Sequence, residues 1–424
     1  MPPKLLWLVV LSMLSAASNA QIYKWVDDDG TVRFSDKPPA GVVPTESAKL
    51  ANNKDLAPRS SQLQTTPVRV AVDNVEGVEN YVLYLDDSTW GDLTLGDYNL
   101  LAVQDSAWLR LNDGYVVEFD LGEISARTHK IKSGTKKLKV DQARVIENDL
   151  FFFNFADSAL DVYDTDSGNY QQYKLRGERA YELNSYGELD KDVYSKGAEN
   201  VIHRHRFEKM GSNWDVSHVD EELTQGPIAL GPYAIANVGE HFLYNYSAYR
   251  PRSGEKRCLF ELYDASHFLH RSIGNEDIGV GEDLSCRIAA SDEREAWLIL
   301  RNSYSNQVSN IAVFNVEDRS WHLIEANQEN APSGTQEIIL TDDYAYYSQC
   351  EKLIRMDRRT HAVRALDMKR HRKERLGHCV YDMVLRDDHL YFSPFRRREG
   401  PTEPIYLYKL PINLFDTVAS DVGS

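Results

Sequence analysis

Three sets of residues have types and spacings that chemistry could use. The first is cationic. Tyr246, Tyr249, Arg250, Arg252, Lys256 and Arg257 crowd one stretch. Lys369, Arg370, Arg372, Lys373 and Arg375 crowd a second, and Phe395, Arg396, Arg397 and Arg398 a third. Guanidinium forks hold carboxylate and phosphate through paired hydrogen bonds. These stretches therefore point to an anionic partner or glycan, with Tyr and Phe adding apolar contact. The second set is Cys258, Cys286, Cys350 and Cys379. No Cys-x-x-Cys occurs, so neither a zinc ribbon nor thioredoxin-like chemistry is indicated. The third set is weaker. His203 and His205 share a face if they lie on a strand, but no third ligand follows by spacing, and a surface strand is expected. DTDSGN, from Asp164, lacks the closing Glu of a calcium loop and is expected to be a turn. There is no Gly-x-Ser-x-Gly, phosphate loop or dinucleotide fingerprint. No metal, cofactor or catalytic residue is assigned.

Charge narrows the partner. The formal net charge is −17, which disfavours nucleic acid. Yet Cys350 to Gly400 holds fourteen Lys or Arg against eight Asp or Glu, a local +6. The basic stretches stand out on an acidic molecule.

A repeat must position them. A turn rich in Asp, Glu or Asn, then a short apolar or aromatic strand, recurs seven times. Taking Leu109, Phe151, Tyr194, Leu243, Leu298, Tyr346 and Tyr391 as equivalent, the mean interval is 47 residues. That period suits one four-stranded propeller blade. The third strands end in Asp or Asn turns that can accept forward backbone N–H groups, as in VVEFDLGE, IAVFNVEDRSW and LIRMDRRTH. The expected fold is all-β: a seven-bladed β-propeller with four-stranded antiparallel blades over residues 76–412, preceded by a small β-hairpin domain. A pair of β-sandwiches is the competing architecture. The last repeat lacks an outer strand, and residues 81–87 are expected to supply it, closing the last blade. Residues 413–424 read as a tail.

In such a blade the b–c and d–a loops share one face. The basic stretches fall there, where functional residues concentrate. So do the cysteines. Cys258 to Cys286 is 28 positions and Cys350 to Cys379 is 29, each pair one blade apart. Disulfides Cys258–Cys286 and Cys350–Cys379 are expected.

The beginning of the chain sets the compartment. Lys4, the apolar run Leu5 to Leu14, and Ser18 and Ala20 read as a signal peptide over residues 1–20. The run is too short to span a bilayer, and no later stretch is apolar enough to be a transmembrane segment. An even cysteine count agrees with export. The expected location is periplasmic, with extracellular release open. Residues 41–75, rich in Ser, Thr, Asn, Pro and Ala, read as a flexible linker.

Residues 21–40 read as a hairpin around Asp27-Asp28-Asp29-Gly30. Tyr23 and Trp25 share one face, and Phe34 joins the apolar set of the second strand. So small a hairpin is expected to dock on something. Here Tyr23, Lys24, Trp25, Asp27, Gly30, Phe34, Ser35, Asp36, Pro38 and Pro39 resemble the pattern of a short N-terminal domain of unknown function found in many proteobacterial envelope proteins. That resemblance implies a Gram-negative envelope setting and no activity. VYDTDSGNY, within the second repeat, resembles the Tyr-x-x-Asp-x-x-x-Gly repeats of periplasmic, quinoprotein-like propellers. Two functions remain open: a non-enzymatic binding scaffold using the basic loop face, or an enzyme acting there on a glycan or small anionic metabolite.

Overall fold

The computed structural model describes residues 23–26, 32–35, 65–85, 98–111, 115–130, 142–146, 149–154, 159–165, 170–175, 184–186, 192–196, 201–210, 213–222, 234–245, 248–249, 256–264, 269–281, 284–302, 308–325, 338–349, 351–371, 380–394 and 404–418. The chain divides into two compact units, Met1–Ala57 and Pro58–Ser424.

The first unit contains a hairpin. Tyr23–Val26 pairs antiparallel with Val32–Ser35, with Tyr23 opposite Ser35 and Trp25 opposite Arg33. Phe34 is opposite Lys24 in the same register.

The second unit is all-β apart from one helical turn and one 3₁₀ turn among the described residues. Sheet one runs Tyr98–Val103, Ser106–Leu111, Tyr115–Asp120 and Ser125–Lys130, each strand antiparallel to the next. Sheet two repeats the pattern from Gln142–Ile146 to Tyr170–Lys174. Sheet four runs from Ala234–Val238 to Leu269–Gly274, sheet five from Leu284–Ser291 to Trp321–Glu325, and sheet six from Ile339–Leu340 to Val363–Asp367. Sheet seven has Val380–Arg386, His389–Pro394 and Ile405–Pro411. Its fourth strand, Val78–Tyr84, comes from far upstream, with Ile405 opposite Leu83 and Lys409 opposite Glu79.

Strands buried on both faces should read as near-continuous apolar runs. Ala296-Trp297-Leu298-Ile299-Leu300 does so. Ala296, Leu298 and Leu300 pack toward sheet four, while Trp297 and Ile299 join the core shared with sheets six and seven. Other cores join sheet one to two, two to three, and seven to one. Sheets one to three thus pack face to face in order, as do sheets four to seven, and the last packs against the first. At Gly239 (φ 59) sheets four and five come so close that a Cβ would stand 2.7 Å from the Glu293 carbonyl oxygen.

The third repeat departs from the expected order. Tyr194 lies in the first strand of a three-stranded sheet, Asp192–Lys196, Val201–Met210 and Asn213–Glu222. Asn184–Tyr186 instead pairs parallel with Ala234–Val238 of sheet four. The ten-residue strands of this sheet carry Trp214 into the core of sheet two, where its indole N–H donates to Asp149.

Two segments expected to be irregular are ordered. Residues 65–75, placed in the linker because residues 41–75 as a whole are rich in Ser, Thr, Asn, Pro and Ala, form the strand Thr65–Val75, in which Val68, Val70 and Val72 alternate. Its first part pairs with Ser125–Lys130 and the remainder with Val78–Tyr84, joining sheets seven and one into a nine-stranded sheet. Within the expected tail, Ile412–Thr417 forms a 3₁₀ turn with Phe415 buried and Asp416 paired to Arg355 at 2.5 Å. His205 corrects another expectation. It is 2% exposed rather than on a surface strand, because it shares a strand face with Phe207, which is buried in the core against sheet two.

Candidate binding site at the loop end

The loops between second and third strands, and between one sheet and the next, share an end. The opposite end carries the short turns. There the expected Asx turns form: Asp120 Oδ1 accepts from the backbone of Gly122 and Glu123, Asn315 from Glu317 and Asp318, and Asp357 from Arg359 and Thr360.

At the loop end Cys258 and Cys286 are disulfide-bonded, stapling sheet four to sheet five. The connection between these sheets is fixed as well. Asn275 Oδ1 accepts from the Cys258 N–H at 2.8 Å, and its Nδ2 donates to the Gly281 and Leu284 carbonyls. Asn245, at the end of the second strand of sheet four, donates to the Cys286 carbonyl at 3.3 Å. Just beyond, Ala248–Tyr249 pairs with Lys256–Arg257 as a short ladder, and Lys256–Arg257 lies against Leu284–Ser291. Tyr249 and Arg257, read from sequence as site residues, are therefore brought to the disulfide-linked corner. Arg370 is placed in an exposed turn after Val363–Asp367, beside a Lys369–Glu351 ion pair. Tyr246, Arg250, Arg252, Arg372, Lys373, Arg375, Phe395, Arg396, Arg397, Arg398, Cys350 and Cys379 lie outside the described residues.

Sequence reasoning missed two residues here. Arg287 follows Cys286 by one position, and Arg301 roots the loop after the second strand of sheet five. Ser285 is directly opposite Arg301 and Arg287 opposite Ile299, so both arginines share the face that carries Trp297 and Ile299. Both are half-buried. Arg301 Nη2 is out of solvent and meets no hydrogen-bond partner. Burial pushes the Arg301 pKa down, and the Arg287 charge pushes it further.

The other end of this seam has the opposite electrostatics. Arg358, with 6% of its side chain exposed, reaches from sheet six to Asp292 Oδ2 at 2.6 Å and Glu295 Oε2 at 2.8 Å. It also donates to the Thr341 carbonyl at 2.6 Å. Burial alone would lower its pKa, but the two carboxylates outweigh it and raise it.

A third cluster lies in sheet one. Glu118 accepts from buried His129 at 2.8 Å and from Arg127 Nη2 at 3.0 Å. Burial would push the Glu118 carboxyl up, yet these bonds hold it down at about 2. Among the described residues, no group of three or more His, Cys, Asp or Glu could hold a metal ion, and no helix is long and apolar enough to cross a membrane.

Residues 9–62 match the family model DUF4124, a domain of unknown function. The N-terminal segment carries this domain. The match contains the hairpin with Tyr23, Trp25 and Phe34 and extends beyond it on both sides. No curated protein matches the chain. Among solved structures, an oligogalacturonate lyase from Vibrio parahaemolyticus aligns over 82% of this chain and 98% of its own, with 10% identity and a TM-score of 0.49. A chain of a mitotic checkpoint complex aligns over 87% of this chain and 99% of its own, with 13% identity and a TM-score of 0.43. At those scores neither likeness bears on activity.

Proposed function

We propose that this is an exported protein of the Gram-negative envelope, a seven-bladed β-propeller that acts as a non-enzymatic binding scaffold. Its loop end takes an anionic protein or glycan. The propeller reading is supported by the face-to-face cores and by Val78–Tyr84, which pairs with Ile405–Pro411 across the sequence. The envelope setting is supported by the N-terminal domain match and by the signal-like first twenty residues.

The observation that carries the binding reading is the corner at Cys258–Cys286. A disulfide and a buried asparagine make it rigid, and the Lys256–Arg257 strand lies against the strand bearing Arg287. Rigid presentation of cations lowers the ordering cost of binding an anion. The test is capture from an envelope extract with cross-linking, comparing the parent with Arg257→Ala and with the Arg396→Ala, Arg397→Ala, Arg398→Ala triple variant. Loss of one cross-linked partner, together with competition by an acidic polysaccharide, is expected. Unchanged capture by both variants, or turnover of the captured ligand by the parent, would reverse the reading.

A further inference from the structure

Spacing along the chain gives His203 and His205 no third ligand. Strand register does. In sheet three, Val201–Met210 pairs antiparallel with Asn213–Glu222, with His203 opposite Asp220 and His205 opposite His218. Three of the twelve histidines and one carboxylate thus hold a two-by-two block of register. Directly opposite positions in an antiparallel pair have Cβ atoms about 4.5–5.5 Å apart, and positions two apart on a strand share its face. Zinc takes imidazole nitrogen and carboxylate oxygen at about 2.0–2.2 Å, so side chains rooted this close can converge on one ion. The block continues a series that begins in the core. One pair nearer the closed end of the hairpin, Phe207 is opposite Val216, and Phe207 is buried with Trp214 against sheet two. The alternate positions hold Arg204, Arg206 and Glu208 on one strand and Asp215 and Ser217 on the other. Charged and hydroxyl residues occupy one set of positions, and the imidazoles occupy the other. His205 is 2% exposed and already engaged within the chain, so it is not counted as a ligand. The side chains of His203, His218 and Asp220 are not among those described, and register is what places their positions.

We propose that His203, His218 and Asp220 ligate one divalent transition-metal ion, zinc by ligand type. His218 and Asp220 stand at i and i+2 on one strand, and His203 is opposite Asp220 on the other. Neutral imidazole and carboxylate are zinc donors, and three protein ligands leave a fourth position for water or for an anionic group of a bound partner. The imidazoles must be deprotonated to bind, so affinity falls as pH drops below their ordinary pKa of about 6.5. The site belongs to sheet three and the disulfide-linked corner to sheets four and five. It goes beyond the proposed function, and either reading can fail without the other.

The test is isothermal titration of the untagged full chain, stripped of metal with EDTA, with zinc ion. His203→Gln, His218→Gln, Asp220→Asn and, as a control, His322→Gln at an exposed position of sheet five are titrated beside the parent. The parent should take up one equivalent. Each of the three sheet-three variants should weaken binding by at least the roughly tenfold to hundredfold that losing an outer-shell partner costs, while His322→Gln binds like the parent. Thermal unfolding of each metal-free variant separates misfolding from lost ligation. Cobalt(II) added to the stripped parent reads the site without any substitution. Visible d–d bands of a nitrogen and oxygen ligand set, which fade as pH falls through the imidazole range, are expected. A cobalt–thiolate charge-transfer band would place the metal on cysteine instead and overturn the site. So would the absence of saturable zinc binding by the parent, or equal affinity in the parent and all three sheet-three variants.

Discussion

Arg358 and Arg301 both lie at the seam between sheets five and six, one at each end. Arg358 is the more buried, yet it meets two carboxylates and a carbonyl, and its charge is stabilised. Arg301 meets a second arginine, and its charge is destabilised. Burial is similar in kind at the two ends, and compensation is what differs. At the short-turn end, charge ties neighbouring sheets together. At the loop end, Arg301 has no such carboxylate among the described residues.

The largest effect should come from breaking the compensated end. Arg358→Met leaves Asp292 and Glu295 facing each other without their cation, and removing one partner of a buried pair costs about 3–5 kcal/mol. Denaturant unfolding should show that loss. A change near zero would mean that Arg358 does no more than a surface ion pair.

The corner at the loop end should come next. Replacing both Cys258 and Cys286 with Ser releases a loop of 28 residues, a loss of about 3 kcal/mol in the chain-entropy account. Faster amide exchange should appear first around Asn275–Ile278 and the start of Leu284–Ser291. Exchange that rises uniformly across sheets four and five would mean that the disulfide does not act locally.

How much of this was readable in the chain divides along the same line. The second strands were found because Leu109, Phe151, Leu243, Leu298, Tyr346 and Tyr391 are large apolar residues after polar turns, and all six are buried. The Cys258–Cys286 pairing was readable from nearly equal spacings, 28 and 29, one repeat pair apart. Thr65–Val75 was not: its alternating Val68, Val70 and Val72 were read together with the Ser-, Thr- and Pro-rich stretch before them, although the strand turns straight back onto Val78–Tyr84 and also pairs with the distant Ser125–Lys130. The third repeat misled for a related reason. Its apolar spacing was regular, but Asn184–Tyr186 pairs with the next sheet. The basic loops were conspicuous as charge runs. Arg287 and Arg301 were not, since each is a single cation in an apolar strand and only sheet register brings them to one face.

A smaller effect separates ordinary compensated charge from the loop end by pH. Glu118 has a folded pKa of about 2 against its usual 4.5, held down by His129 and Arg127. A depressed carboxylate contributes stability that is full above its unfolded pKa and is lost as pH falls through the folded one. Unfolding free energy should therefore fall between about pH 5 and about pH 2, and Glu118→Gln should flatten that limb. An identical acid limb in the variant would remove Glu118 from the account.

The smallest shift bears most directly on the central claim. Replacing an uncompensated half-buried charge with an apolar side chain of similar length is neutral or stabilising, by about 1 kcal/mol or more. Thermal unfolding of Arg301→Met beside Arg358→Met reads both ends of the seam at once. Arg301→Met should melt at or above the parent, while Arg358→Met should melt well below it. A fall in the melting temperature of Arg301→Met as large as that of Arg358→Met would make both ends structural and contradict the account.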